Sequence, residues 1–337
     1  MKKIFNLIAS FVLLAGFSAC NKDGSDKPGL PPAPVPTVNY KGLTFISSGN
    51  STVCLAKVGA PDEITLEYST DESLWNPYTL GEKISLADGT FLLFRAGEQK
   101  NLTFSKGSDS YYHFEISGPV TAQGNIMSLL DRDFSTPLST NAFFALFEGC
   151  TSLLSAPELP ATTMEQGCYF RMFAECTGLK SAPELPAEAL AYNCYGRMFK
   201  GCSALTYVPD LPATEMRIYC YNSMFANCTS LKFAPELPAT RLDMGCYHCM
   251  FEGCTSLTSA SELPATELVN NCYEFMYKDC RNLRYVIGLF TTEPSEKTTK
   301  DWLSGVAASG TFIKSKKATW DVTGVHGIPE GWKIETW

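Results

Sequence analysis

Runs of basic residues are absent from this 337-residue chain, and so are the usual signatures of catalysis. Lys and Arg total 27 against 35 Asp and Glu, a formal net charge of −8. An acidic chain without clustered cations argues against a nucleic-acid partner, which needs a basic patch. Histidine is scarce: the three are His113, His248 and His326, and no shared motif joins them. No glycine-rich phosphate loop, zinc-protease helix or nucleophile elbow occurs. The expectation is a non-enzyme that takes no cofactor. Beyond the N-terminal segment, no apolar run is long enough to cross a bilayer. There is one C-x-x-C, Cys246-Tyr247-His248-Cys249, and no second pair at zinc-ribbon spacing comes after it, which speaks against a metal site.

What is present is a 26-residue period. Cys150, Cys176, Cys202, Cys228, Cys254 and Cys280 keep it, and Cys168, Cys194, Cys220, Cys246 and Cys272 keep it 18 residues after each preceding cysteine. Self-similarity at such a period means a stacked repeat, in which each unit buries its face against its neighbours. The expected fold class is mainly β with short helices: a β-sandwich, then a repeat solenoid, then a cap.

Five regions can be marked along the chain. Residues 1–19 read as a signal peptide, with Lys2 and Lys3 ahead of an apolar stretch and small residues before Cys20. Phe17-Ser18-Ala19-Cys20 resembles a bacterial lipobox, which would make Cys20 the lipidated N-terminus. Residues 20–38 are rich in Pro, Gly and Asp and read as a flexible tether. Asp23 and Asp26 are similar to the acidic export signals of Bacteroidota surface lipoproteins. The expected location is therefore the outer membrane, lipid-anchored and facing the exterior. Residues 39–122 carry short β-rich runs at 43–46, 53–56, 64–68, 83–86, 91–95, 102–104 and 112–116, which suggests an Ig-like sandwich. Trp75 and Tyr78 fill its core or sit on a glycan-facing loop. Residues 123–290 are the solenoid, and 291–337 the cap, with a short helix at Thr299 to Val306, a strand near 310–314, and Trp302, Trp320, Trp332 and Trp337 covering the last repeat.

Within a unit, the stretch from Leu179 to Ala182 reads as a strand ended by Pro183, because proline cannot donate to a continuing ladder. The proline recurs as Pro157, Pro209 and Pro235, and Ser261 breaks the column. The stretch from Leu190 to Cys202 reads as a helix, with Cys194, Tyr195, Met198 and Phe199 forming an apolar stripe. The cysteine columns admit three readings. Free thiols stacked about 5 Å apart would form a structural ladder. Disulfides between neighbouring units are compatible with export. Metal is the third, on the single C-x-x-C. A bridge inside a unit is excluded if the intervening stretch is helical, since eight residues then span about 12 Å.

The unit Leu-x-x-Ala-Pro-Glu-Leu-Pro-Ala-Thr, with Cys-Tyr-x-x-Met-Phe-x-x-Cys-Thr-x-Leu, resembles the BspA-like leucine-rich repeats of bacterial surface lipoproteins of Bacteroidales type. The resemblance covers about half of the chain. It implies a cell-surface protein that binds or adheres without catalysis, with a host extracellular or bacterial surface protein, or a glycan, as partner. Positions that vary between units are expected to face outward. These include Tyr207, Phe233 and Tyr285, and beside them Lys180, Lys232 and Arg284. Aromatics beside cations are typical interface anchors. The alternative is that these rings pack on each other or under a loop. Two rival functions stand beside adhesion: glycan capture by the β-sandwich, and a structural role in envelope or pilus assembly.

Overall fold

The structure, a computed structural model, describes residues 38–99 and 102–337. The signal segment, Cys20 and the tether up to residue 37 lie outside the described residues. The fold is mostly β. Its first part holds β1 (Thr44–Ser47), β2 (Ser51–Val58), β3 (Leu66–Ser69), β4 (Asn76–Pro77), β5 (Ile84–Leu86), β6 (Phe91–Ala96), β7 (Ser105–Gly107), β8 (Ser110–Ser117) and β9 (Val120–Gln123). The second holds β10 (Leu153–Ser155), β11 (Ser259–Leu263), β12 (Tyr285–Gly288), β13 (Thr311–Lys314) and β14 (Lys333–Thr336).

Two sheets face each other in the N-terminal part. One runs β10-β9-β1-β6-β3-β4 and the other β5-β2-β8-β7. Alternating apolar residues turn inward from both, as the period of a strand requires. Phe45 of β1 meets Phe114 of β8 edge-on at 5.1 Å, and Phe94 of β6 meets the same ring at 5.5 Å. The run expected at 102–104 forms its strand at Ser105–Gly107 instead. The short β4 and the whole of β9 were not among the expected strands.

The sandwich and the repeats are joined without a break. β9 pairs in parallel with β10, a strand of the first repeat. The Phe114 N–H donates to Leu146 O at 2.7 Å, and the Phe114 ring stacks on Phe147 at 5.2 Å. Phe114 thus begins a column that continues through Phe173, Phe199, Phe225, Phe251 and Tyr277 at ring spacings of 5.3–5.7 Å. One hydrophobic core runs from the sandwich to the C-terminus.

The repeats form a solenoid with a 26-residue period, but not with a helix on its back. The stretch expected to be helical, Leu190 to Cys202, is a chain of tight turns. Its backbone N–H groups alternate between two destinations. Those of Asn193, Tyr195, Arg197, Phe199 and Gly201 donate to Ile218, Cys220, Asn222, Met224 and Ala226 of the next coil, at 2.7–3.1 Å. Those of Cys194, Gly196, Met198, Lys200 and Cys202 bond three residues back, at 3.1–3.4 Å. The backbone is therefore half sheet ladder and half 3₁₀ turn. The cause is the spacing of the apolar pairs. Cys194-Tyr195 and Met198-Phe199 repeat every four residues, and an α-helix would carry such pairs off the core by about 40° per step. A residue of positive φ resets the chain at each step, here Asn193 (53°), Arg197 (55°) and Gly201 (78°). The same three positions are left-handed in the neighbouring coils, as at Gly245 (60°), Cys249 (54°) and Gly253 (73°). Asn and Gly tolerate that conformation best. At Gly245 there is a second reason: a Cβ would strike the Tyr219 ring.

The strand expected in each unit is regular only near the solenoid's ends. In the middle coils Leu179 and Ala182 point inward as expected, but pairing is reduced to single bridges such as Ser181 with Tyr207 and Phe233 with Ser259. The 26-residue register continues past residue 290. β12, β13 and β14 pair in parallel, and the N–H groups of Tyr273, Phe275 and Tyr277 donate to Thr298, Lys300 and Trp302. The expected helix at Thr299 to Val306 is instead the last tier of tight turns, and the helix there is Glu296–Thr299. Trp302 takes the column of Met276 and stacks on Tyr273 at 6.1 Å. Its indole N–H donates to Gly327 O at 2.8 Å. Trp320 stacks on Phe290 at 5.2 Å, and Trp332 donates to Ala307 O at 2.8 Å. Trp337 does not cover the end; it is 62% exposed.

Candidate binding face

The two cysteine columns run inside the solenoid. Cys150, Cys176, Cys202, Cys228, Cys254 and Cys280 are buried free thiols. Each donates its S–H to a carbonyl 29 residues earlier, or 36 for Cys150: Cys176 to Phe147 O at 3.0 Å, Cys202 to Phe173 O at 3.1 Å, and Cys150 to Phe114 O at 3.0 Å. A small residue with a weak donor fits this place, because it fills the corner and adds a second donor to a carbonyl that already accepts a backbone N–H, as Phe147 O does from Cys150 at 3.1 Å. Cys168, Cys194, Cys220, Cys246 and Cys272 are also buried and free. In this column Cys168 and Cys220 approach the sulfurs of Met164 and Met216 at 3.6 and 3.7 Å. Burial pushes the thiols up: Cys150, Cys194, Cys254 and Cys272 reach about 12. Such thiols are poor nucleophiles and poor metal ligands, which both require the thiolate.

The lone C-x-x-C does not converge. Cys246 belongs to the inner column, whereas the Cys249 Sγ lies 3.9 Å from His248 Nε2. His248 sits in a row of polar side chains on successive coils. Asn222 Nδ2 is 2.9 Å from His248 Nδ1, and Glu274 is 3.6 Å from His248 Nε2. Burial lowers the His248 pKa against the opposing pull of Glu274 and Glu252. The Cys249 thiol is raised to about 12 by burial and by Glu252. Among the described residues no three His, Cys, Asp or Glu side chains gather as a metal cluster. Nor does any helix there have the length and hydropathy to cross a membrane. Trp75 of the sandwich is half-buried, with the Arg95 guanidinium 3.8 Å over its ring. Tyr78 lies against Phe94 at 5.2 Å, and its hydroxyl donates to Glu82 O.

The expected outward positions are exposed. Tyr207 is 57%, Phe233 66% and Tyr285 40% exposed. The bridges Ser181 with Tyr207 and Phe233 with Ser259, and the pairing of Ser259 with Tyr285, place them in one row along the solenoid. No aromatic contact joins one of these three rings to another among the described residues, so they do not shield each other. Lys180, Lys232 and Arg284 are exposed in the adjacent row. Thr206 and Thr258 fill the coils between them, each donating its hydroxyl to the Lys180 or Lys232 carbonyl. Arg281 is exposed in the turn that leads into this row; comparing only the two columns before the strand alanine does not reveal it, whereas aligning whole units at the 26-residue period does. No family model, no curated protein and no solved structure matches this chain.

Proposed function

We propose that this chain is a BspA-like surface lipoprotein, anchored through Cys20 to the outer membrane, that binds a host or microbial macromolecule without catalysis. The single observation that carries the reading is the exposed row of Tyr207, Phe233 and Tyr285 beside Lys180, Lys232 and Arg284. Three large exposed rings in register cost solvation unless they meet a partner, and rings beside cations are frequent interface anchors. The row lies on a stacked surface longer than any single loop could offer. Glycan capture by the sandwich has weaker support, since Arg95 occupies a face of Trp75.

The test is a screen of the soluble protein against immobilised host matrix proteins, bacterial surface proteins and a glycan array. Saturable binding to at least one of these is expected. Silence on all three would overturn the recognition role.

A further inference from the structure

The face that carries the exposed aromatics holds no acidic residue. In the segments 151–156, 177–182, 203–208, 229–234, 255–260 and 281–286, Asp and Glu do not occur at any position. The chain as a whole has 35 acids against 27 cations, so this face is opposite in sign to the net charge of the chain. Lys180, Lys232, Arg281 and Arg284 are exposed there, and among the described residues none of them makes an ion pair. A row of exposed carboxylates, from Glu158 and Glu184 through Glu236 and Glu262, runs beyond the proline column. It lies three residues from the aromatic row, roughly 10 Å along an extended backbone. The positive strip is thereby bounded on one side by negative charge.

The strip also has a period. Lys180, Lys232 and Arg284 occupy every second coil, which sets their Cα atoms roughly 10 Å apart for coils spaced like neighbouring strands. Thr206 and Thr258 take the coils between them, with their hydroxyls turned to the Lys180 and Lys232 carbonyls. The rings of Tyr207, Phe233 and Tyr285 stand one residue further on and are exposed. We infer that this strip binds a linear anionic polysaccharide, laid along the solenoid axis, with the cations on its sulfates or carboxylates and the rings against its sugar faces. A polymer whose anions recur about every 10 Å, or at a simple fraction of that distance, matches a surface with one cation per two coils, and needs no particular sequence. This rests on the recognition role proposed above and names the ligand class for that face.

The experiment measures binding of the protein to immobilised heparin and polygalacturonate, with neutral dextran and poly-glutamate alongside. Saturable binding to heparin or polygalacturonate is expected, with none to dextran and weaker binding to poly-glutamate. Salt should abolish it, because the screening length falls from about 10 Å at 0.1 M to about 3 Å at 1 M. The triple variant Lys180→Ala, Lys232→Ala, Arg284→Ala should bind roughly ten-fold more weakly, at about two-fold for each exposed charge contact. All three side chains are exposed, so its melting temperature should match the parent. A control carrying Lys57→Ala, Lys297→Ala and Lys317→Ala should bind like the parent. Equal loss in the control, equal binding to dextran, or binding to poly-glutamate as tight as to heparin would each overturn the inference. Saturable binding to a matrix protein with none to either anionic polysaccharide would overturn it too, while leaving the recognition role standing.

Discussion

Raising the pH above about 9 is expected to unfold the protein, well before an ordinary β-protein of this size would yield. The cause is the thiol ladder. In the unfolded chain a cysteine ionises near its ordinary value of 9.0, whereas the buried Cys150, Cys194, Cys254 and Cys272 ionise at about 12. Between these values the unfolded state releases protons that the folded state keeps. A folded pKa above the unfolded one means the contribution is fully present below pH 9 and is lost as pH rises toward 12. One unit above 9, each such thiol removes on the order of 1 kcal/mol, and these four together several kcal/mol. Total stabilities of about 5–15 kcal/mol are typical. Burial also raises Cys176, Cys228, Cys246 and Cys280 above their ordinary value, and Tyr169, Tyr195, Tyr221, Tyr247 and Tyr273 above their ordinary 10.0. Far-UV circular dichroism recorded from pH 8 upward, with and without reductant, reads the transition. An unchanged spectrum up to about pH 11 without reductant, with early unfolding once reductant is added, would mean that the columns are bridged rather than free.

Removing the N-terminal sandwich is expected to destroy the solenoid rather than isolate it. A chain that starts at Gly124 loses Phe114, and with it the carbonyl that accepts from Cys150 and the ring that covers Phe147. It also loses β9, the partner of β10. Phe143, Leu146, Phe147 and Leu153, all fully buried, would face water. At about 1.5–3 kcal/mol for each large side chain, the loss is comparable to the whole stability of a domain. Solenoids need closed ends, and here the sandwich supplies one and the tryptophans of the last coils the other. The shortened chain should aggregate or show no cooperative melt. A soluble fragment from 124 to 337 with a sharp melt and the parent's β-spectrum would show that the solenoid closes its own end.

The 26-residue period and the inward columns could be read from the sequence because a repeat states its register several times over. Leu179, Ala182, Cys194, Tyr195, Met198 and Phe199 are all buried where the period puts them. The helix was misread for a local reason. A pattern of i, i+1, i+4 and i+5 satisfies both a 3.6-residue helix over two turns and a strict four-residue turn chain. The difference lies in the columns of Asn141, Gly167, Asn193, Gly245 and Asn271, and of Gly149, Gly201, Asn227 and Gly253, which favour positive φ and oppose a helix. The fusion of sandwich and solenoid was not legible, because the pairing of β9 with β10 joins residues about thirty positions apart and leaves no local periodic signal. The exposed row was legible as a column of variable residues. Its lack of acids shows only when whole units are laid over one another.

The most direct test of recognition through this face compares the parent with the triple variant Tyr207→Ala, Phe233→Ala, Tyr285→Ala on every ligand that the parent binds. Truncating exposed rings leaves the core intact, so both proteins should melt at nearly the same temperature. A single anchor at an interface commonly contributes about 2 kcal/mol or more, so if even one of the three rings is such an anchor the variant's affinity should fall at least about 30-fold. Undiminished binding by a folded variant would contradict the assignment and move the site elsewhere on the molecule.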